Sequence, residues 1–242
     1  KMTNSFITRM NPANLLQFEF ETDVQEAYHF LRGNISFYER KNPLKTICVV
    51  SHSRSEGKTA VALNLAVSFA NCGQKTLFVD SDLRKPVHEK RLGNADKGLA
   101  TILFRNEDPD GAILNAQVEN LSYLPCGRDV DNTGEMLSSA RFRDILDKLS
   151  QKYDKIIIDT PALSHVIDGY EIASMTDGAI IVIRNRFPET QRLTNMVKQL
   201  KMANVNIIGA VLNKVPMNEY RRKYNRYHDD WQDVKKRRTS AG

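Results

Sequence analysis

The sequence predicts a doubly wound α/β fold, in which helices cover both faces of a mostly parallel sheet. Its 242 residues suit one domain, because a single core grows to roughly 250 residues before chains divide. Five short apolar runs, rich in Val and Ile, recur along the chain and are typical of buried strands. Longer stretches with helical periodicity separate these runs, and strand alternating with helix predicts parallel pairing.

The predicted elements follow in order along the chain. Residues 1–22 resemble an extended arm, and residues 23–38 are predicted to form a helix. The predicted strands are Ile47–Ser51, Thr76–Asp80, Lys155–Asp159, Ala179–Arg184 and Asn206–Asn213. The predicted helices between them include Thr59–Asn71, Ser138–Gln151 and Thr190–Ala203. No assignment is made for residues 108–134. The domain is predicted to span residues 23–216, and residues 217–242 form a flexible polar tail.

The composition excludes several classes of protein. With 41% hydrophobic and 26% charged residues, 12 Gly and 8 Pro, the chain is neither collagenous, nor mostly disordered, nor a disulfide scaffold. No run approaches the ~20 apolar residues that cross a bilayer, and the start lacks a secretory leader, so a cytoplasmic protein is predicted. Cys48, Cys72 and Cys126 match neither a zinc spacing nor a disulfide framework, and we expect reduced, buried thiols.

The net charge of +6 is concentrated at the end of the chain. Residues 217–242 hold eight Lys or Arg against four acids, which gives +4 and leaves only +2 for the other 216 residues. A body so nearly neutral does not offer a nucleic-acid-binding face, and no nucleic-acid partner is predicted.

The segment SRSEGKT, Ser53 to Thr59, connects the first predicted strand to a helix. A helix N-terminus offers unpaired N–H groups and a positive dipole end to an anion. Gly57 allows close backbone approach, Lys58 supplies a charge from what we expect to be an exposed loop position, and Thr59 supplies a hydroxyl for Mg²⁺. The pattern predicts a nucleoside triphosphate site of the phosphate-loop type.

Three carboxylates are predicted to converge on this site. Asp80 and Asp82 stand at the carboxyl end of the second predicted strand, and Asp159 ends the third. Ligands of open α/β sheets bind beyond the carboxyl ends of the strands, where acids beside phosphates require Mg²⁺ between them.

These motifs resemble those of bacterial tyrosine kinases of capsule and exopolysaccharide synthesis, whose nucleotide site belongs to the phosphate-loop NTPase type. The resemblance rests on EGKT at Glu56–Thr59, LFVDSDLR at Leu77–Arg84, IIIDTP at Ile156–Pro161 and a tyrosine-rich tail. It implies ATP and Mg²⁺ as cofactors. The nucleotide-binding residues implied are Ser55, Glu56, Gly57, Lys58, Thr59, Ala60 and, at the adenine edge, Asn213.

The same resemblance implies a role for each charged residue. Lys58 would neutralise the β- and γ-phosphates, and the Mg²⁺ ligands would be Thr59, Asp82 and Asp159. Asp80 would be the base that takes the proton from an incoming tyrosine hydroxyl. Arg54 and Ser55 stand where the family usually has Pro-Gly. A left-handed backbone at Ser55 would cost about 1 to 2 kcal/mol that glycine avoids.

The resemblance also implies assembly and partners. The family uses an E-x-x-R-x-x-R helix for self-association into a ring, and here the matching residues are Glu26, His29 and Arg32. A histidine loses most of its charge above pH ~6.5, which makes that contact pH-dependent. The implied partners are a transmembrane polysaccharide chain-length protein, which activates the kinase at the inner face of the plasma membrane, and a cognate tyrosine phosphatase.

Three tyrosines, Tyr220, Tyr224 and Tyr227, fall within eight residues of the basic tail. Their spacing also fits a helix face packed on the body, but the segment has no Leu, Ile or Val before Val234 and so buries little. With the resemblance added, we interpret them as sites of autophosphorylation between subunits that regulates polysaccharide synthesis and export.

Two other functions remain open on this fold. A positioning ATPase of the partitioning class would resemble K-G-G-x-G-K-T, but the position of its first lysine is Ser53 here. A nonenzymatic regulator is favoured by Arg54 and Ser55 and opposed by the intact Lys58 and the three aspartates.

Overall fold

A single twisted sheet runs through the protein. The computed structural model describes residues 22–83, 97–127, 133–164, 166–186 and 190–222. The strands are β1 Thr46–Ser51, β2 Thr76–Asp80, β3 Leu114–Asn115, β4 Leu121–Leu124, β5 Lys155–Asp159, β6 Gly178–Arg184 and β7 Ile207–Asn213. The helices are α1 Thr22–Glu39, α2 Lys58–Ala70, α3 Leu99–Arg105, α4 Thr133–Leu137, α5 Ala140–Ser150, α6 Asp168–Ser174 and α7 Thr190–Met202, with a 3-10 turn at Pro109–Ala112.

The strand order is β3-β4-β2-β5-β1-β6-β7, and every pair except β3 with β4 is parallel. The predicted doubly wound fold is confirmed, because alternate residues of each central strand enter two different cores. Ile157 of β5 packs with Leu65 and Phe69 of α2 on one face. On the other face Ile156 and Ile158 share a core with residues of α5 and α7. The strand predictions fall within one residue of the observed bounds. For the central strands the reason is burial on both faces, which requires apolar residues along most of the strand.

Helix α1 is fastened to the domain by polar contacts as well as by packing. The Arg32 guanidinium donates to the Ser68 carbonyl oxygen in α2 at 2.5 Å. Lys155, a buried lysine at the start of β5, pairs with the Glu39 carboxylate and donates to the Leu44 carbonyl oxygen. The Arg32 contact holds the middle of α1 against α2, and the Lys155 contacts hold its last turn against the sheet.

Five helices and strands lie where no assignment was made. The region left unassigned from the sequence contains β3 and β4, and β4 pairs in parallel with β2. The short helices α3, α4 and α6 were also not predicted. The expectation of buried thiols is wrong for Cys72, which is exposed just after α2, whereas Cys48 and Cys126 are buried.

The two ends of the chain are described only in part. Most of the predicted arm, residues 1–21, and most of the predicted tail, residues 223–242, lie outside the described residues. The first tail residues, 217–222, are helical, and Glu219 in this turn pairs with Arg186 beyond β6. None of the helices within the described ranges is both long enough and apolar enough to cross a bilayer.

Candidate functional site

The loop between β1 and α2 has the geometry of an anion-binding helix terminus. Gly57, the residue before α2, has φ 93°, and a Cβ atom there would lie 2.1 Å from the Asn213 side-chain nitrogen. Only glycine fits this position. The first helical bond runs from the Val61 N–H to the Gly57 carbonyl oxygen at 3.0 Å. Earlier N–H groups of the helix have no intrahelical acceptor, and with the helix dipole they could bind an anion, as the motif predicts.

Ser55 adopts the left-handed conformation, with φ 63°. A serine in this region costs about 1 to 2 kcal/mol relative to a right-handed backbone, whereas glycine occupies it freely. The loop therefore carries backbone strain at the position where the resemblance implies a glycine.

The side chain of Glu56 is directed into the loop. It is 4% exposed, and its Oε2 accepts the Ser53 N–H at 3.1 Å. Burial raises the pKa of the Glu56 carboxyl above its usual value. This side chain braces the loop, and a nucleotide contact by Glu56 stays a prediction.

Asn213 ends β7 beside the same loop. Its side-chain amide donates to the Glu56 carbonyl oxygen at 2.9 Å. The residue implied at the adenine edge is thus in contact with the phosphate loop, and its amide nitrogen fixes the loop backbone. Contact with adenine itself stays a prediction.

Lys58 differs from the expected exposed loop lysine. It opens α2, is 8% exposed, and its Nζ lies 2.5 Å from Oδ1 of the fully buried Asp159. The reason is topological: β5 lies directly beside β1, so the last residue of β5 faces the start of the helix that follows β1. The expectation of an exposed Lys58 is therefore corrected to a buried ion pair.

The predicted acids lie on adjacent strands. Asp80 and Asp159 are register partners across β2 and β5, and the Ser81 N–H donates to the Asp159 carbonyl oxygen at 3.0 Å. The Asp82 N–H donates to Asp80 Oδ1 at 3.1 Å. Asp80 is fully buried and Asp82 is only partly buried. The strand ends thus bring all three carboxylates to the edge of the sheet beside the phosphate loop.

The residues present fit a magnesium ion held together with phosphates. Asp159 Oδ2 is buried and accepts no hydrogen bond from any described residue, and such an oxygen suits a cation or its water. No group of three His, Cys, Asp or Glu side chains within the described ranges is arranged to hold a metal by itself. Mg²⁺ at phosphate sites commonly uses one or two carboxylates plus phosphate and water oxygens. Thr59 and Asp82 are both partly exposed beside this edge.

The remaining predicted residues lie elsewhere or outside the described chain. Glu26 and His29 are exposed on α1, and Arg32 is partly buried against α2, so their interface role stays a prediction. Tyr220 is partly buried in the helical turn 217–222. Tyr224 and Tyr227 lie outside the described residues.

Sequence reasoning missed two residues at the site. Tyr123 of β4 is buried, and desolvation and then the charge of Asp80 raise its pKa well above the ordinary value. Lys214 follows β7 and donates to the Ser55 carbonyl oxygen at 2.7 Å. Neither residue belongs to a motif. Assigning β4 from the sequence would have placed Tyr123 beside β2, whereas no local signal places Lys214 beside the loop.

Both the sequence and the fold are similar to those of known proteins. A family model described as "AAA domain" matches residues 44–211. Tyrosine-protein kinase CpsD of Streptococcus pneumoniae serotype 4 is 34% identical over 206 residues, which cover 84% of this chain and 90% of that protein. This chain belongs to the family of bacterial protein-tyrosine kinases of capsule and exopolysaccharide biosynthesis. Among solved structures, the chimerical protein CapA2B2 covers 87% of this chain and 94% of its own, with a TM-score of 0.77 and 26% identity.

The kinase family shares its fold with other phosphate-loop NTPases. The septum site-determining protein MinD from Pyrococcus horikoshii, solved with Mg-ADP, is 28% identical with a TM-score of 0.60, and the match covers 73% of this chain and 72% of that one. The structural similarity to MinD is lower than that to CapA2B2, with a TM-score of 0.60 against 0.77, although the sequence identities are similar at 28% and 26%.

Proposed function

We propose that this chain is an ATP-dependent protein-tyrosine kinase that phosphorylates its own C-terminal tyrosines between subunits and thereby regulates capsule or exopolysaccharide synthesis and export. The observation that carries the proposal is the contact between Lys58 and Asp159, since it joins the phosphate loop to the acidic ends of β2 and β5. A cation, a helix N-terminus and three carboxylates at one sheet edge suit a magnesium nucleotide.

In this proposal the loop binds the triphosphate through the N–H groups at the start of α2, with Lys58 supplying positive charge. Thr59, Asp82 and Asp159 would hold Mg²⁺, which neutralises charge on the phosphate oxygens when it is bound. Phosphoryl transfer depends mainly on positioning and on electrostatic stabilisation. The braced loop meets that demand because Glu56 and Asn213 fix its backbone.

The proposed base is Asp80. A base must come within hydrogen-bond reach of the hydroxyl that it deprotonates. Asp80 is fully buried and accepts the Asp82 N–H, so the tyrosine would have to enter beside β2; the alternative base is the more exposed Asp82. Asp80→Asn should reduce kcat far more than Mg-ADP affinity if Asp80 is the base. Comparable losses of both would assign Asp80 to the metal, and an effect confined to Asp82→Asn would move the base to Asp82.

The proposed acceptors are Tyr220, Tyr224 and Tyr227. The turn that contains Tyr220 is held to its own subunit through Glu219 and Arg186, and this tether favours a reaction with the site of a neighbour. Such a reaction needs an assembly, and we propose the ring implied by the α1 residues Glu26, His29 and Arg32. A transmembrane activator at the inner face of the plasma membrane and a tyrosine phosphatase complete the proposed cycle. A chimera named for CapA and CapB supports a partner that docks on the kinase domain.

A mixing experiment tests both the activity and its direction. The donor carries Phe at all three tail tyrosines and keeps the active site, and the acceptor is Asp82→Asn with an intact tail. We expect the acceptor to gain phosphotyrosine from Mg-ATP only when the donor is present. Self-labelling of wild type without any transfer would place the reaction within one subunit. ATP hydrolysis by wild type without phosphotyrosine would instead favour the positioning ATPase, to which the MinD likeness gives some support.

A further inference from the structure

Lys214, the residue that follows β7, has no part in the chemistry proposed above. We propose that it is a positioning residue, which fixes the phosphate loop for nucleotide binding by holding the carbonyl group of Ser55. This inference rests on the proposed nucleotide site. The Lys214 Nζ donates to the Ser55 carbonyl oxygen at 2.7 Å, across 159 residues of sequence.

The direction of the loop carbonyl groups explains why such a bond matters. A phosphate loop binds its anion through N–H groups, so the carbonyl dipoles must point away from the anion. Two consecutive carbonyls are held by the end of β7: Lys214 binds that of Ser55, and Asn213 binds that of Glu56 at 2.9 Å. A bond donated by an ammonium is roughly twice as strong as a neutral one. The end of β7 thus sets the orientation of the peptides that precede Gly57.

The bond from Lys214 also stabilises a strained backbone conformation at Ser55. Ser55 has φ 63° and Lys214 has φ 58°, so both ends of the contact occupy a conformation that non-glycine residues rarely adopt. A strained residue persists only where its surroundings over-determine it. The bond to Lys214 fixes the carbonyl of the strained serine and opposes relaxation to a right-handed or extended backbone.

Lys214 has no competing structural role among the described residues. It forms no ion pair with a carboxylate there, and the bond to Ser55 is the only hydrogen bond of its ammonium group. Desolvation at the loop and then the nearby guanidinium of Arg184 lower its pKa. Lys214 is exposed as a residue, but its ammonium lies against the loop, where the bond to the Ser55 carbonyl oxygen distinguishes it from a lysine that contacts only solvent.

The test measures Mg-ADP affinity by titration calorimetry, together with the urea midpoint without nucleotide. Lys214→Met removes the donor, Lys214→Arg restores one, and Lys198→Met removes an equal charge from the exposed face of α7. We expect Lys214→Met to weaken Mg-ADP binding about tenfold, as the loss of a bond to a charged group would. Lys214→Arg should recover most of that loss, and Lys198→Met should bind as wild type does.

A second background separates positioning from general stability. In Ser55→Gly the left-handed conformation carries no steric penalty, so Lys214→Met should then weaken binding by only about twofold. The inference would be overturned if the Mg-ADP affinity of Lys214→Met stayed within about twofold of wild type, or if Lys198→Met lost as much affinity as Lys214→Met. So would an affinity loss of the same size in both backgrounds. If wild type itself bound no Mg-ADP, the proposed nucleotide site would fail first, and the inference with it.

Discussion

Lys58 Nζ lies 2.5 Å from Asp159 Oδ1, and both side chains are buried. The pair joins the first residue of α2 to the last residue of β5, 101 positions later in the chain. Burying two charges is costly, and the pair offsets this cost only while both partners are present. The residues that the proposed chemistry requires therefore also contribute to the stability of the fold.

Removing the Lys58 charge should destabilise the protein as well as inactivate it. Lys58→Met leaves Asp159 buried without its cation, and we expect a loss of about 3 to 5 kcal/mol in the free energy of unfolding. Lys58→Met combined with Asp159→Asn leaves no buried charge and should recover at least about 2 kcal/mol of that loss. Urea denaturation of wild type, both single variants and the double variant measures the coupling. A Lys58→Met loss below about 1 kcal/mol would show that the pair is not buried in solution.

Glycine should be the better residue at position 55 for stability. Ser55→Gly removes the left-handed penalty but adds entropy to the unfolded chain, and we expect a net gain of about 0.5 to 1 kcal/mol. Ser36→Gly, at an exposed position inside α1, is the matched control and should lose about 0.5 to 1 kcal/mol. Urea midpoints that move in the same direction for both variants would contradict a left-handed Ser55.

The protein should lose stability at alkaline pH through Cys48. Burial raises the pKa of this thiol from 9.0 to about 12. Above pH 9 the unfolded chain releases the proton while the folded chain keeps it, so stability falls as the pH rises. The slope is at most about 1.4 kcal/mol per pH unit, or about 2 kcal/mol by pH 10.5.

Cys48→Ala is the control for this pH dependence. The variant starts from a lower stability because of the cavity, but its unfolding free energy should change little between pH 8 and 10. The buried Tyr28, with its pKa raised to about 12, and Tyr123, whose pKa is also raised, contribute mainly near and above pH 10. Equal slopes for wild type and Cys48→Ala would show that the thiol is not the group responsible.

Two lysines near the start of β5 should differ sharply in their contribution to stability. Lys155 is 8% exposed at its side chain and pairs with Glu39, whereas Lys152 is 39% exposed and pairs with the exposed Asp110. We expect Lys155→Met to cost about 3 kcal/mol, because it leaves Glu39 and the Leu44 carbonyl oxygen without their donor. Lys152→Met should leave the thermal midpoint almost unchanged. Similar midpoints for the two variants would contradict the anchoring of α1 by Lys155.

Four of the five strands that sequence reasoning identified are buried along most of their length, and the fifth, β7, is a partly exposed strand at the edge of the sheet. A run such as Lys155–Asp159 has three consecutive isoleucines at its centre because helices cover it on both sides, and this produces a strong local signal. The four residues of β4 include Ser122 and Tyr123, and the two residues of β3 are exposed, so neither pattern stands out from a loop. Position in the sheet, and not composition, makes β4 a strand, since it pairs with β2.

The same division applies to the site. The motif residues Gly57 to Thr59 are neighbours in the chain, and their spacing alone predicts the phosphate loop. The burial of Lys58 depends on β5 lying beside β1, and the bond from Lys214 depends on β7 ending beside the loop. Such contacts join residues more than 100 positions apart and follow from strand order, which local spacing does not contain.

The central claim is that this phosphate-loop site transfers phosphate to the tail tyrosines. Its most direct measurement is mass spectrometry of the tail peptides from protein isolated from its native host, where any activating partner is present. We predict phosphotyrosine at Tyr220, Tyr224 or Tyr227 in wild type, and none in a chromosomal Asp82→Asn variant of equal abundance. Equal tail phosphorylation in both strains, or none in wild type while polysaccharide is being made, would contradict the account.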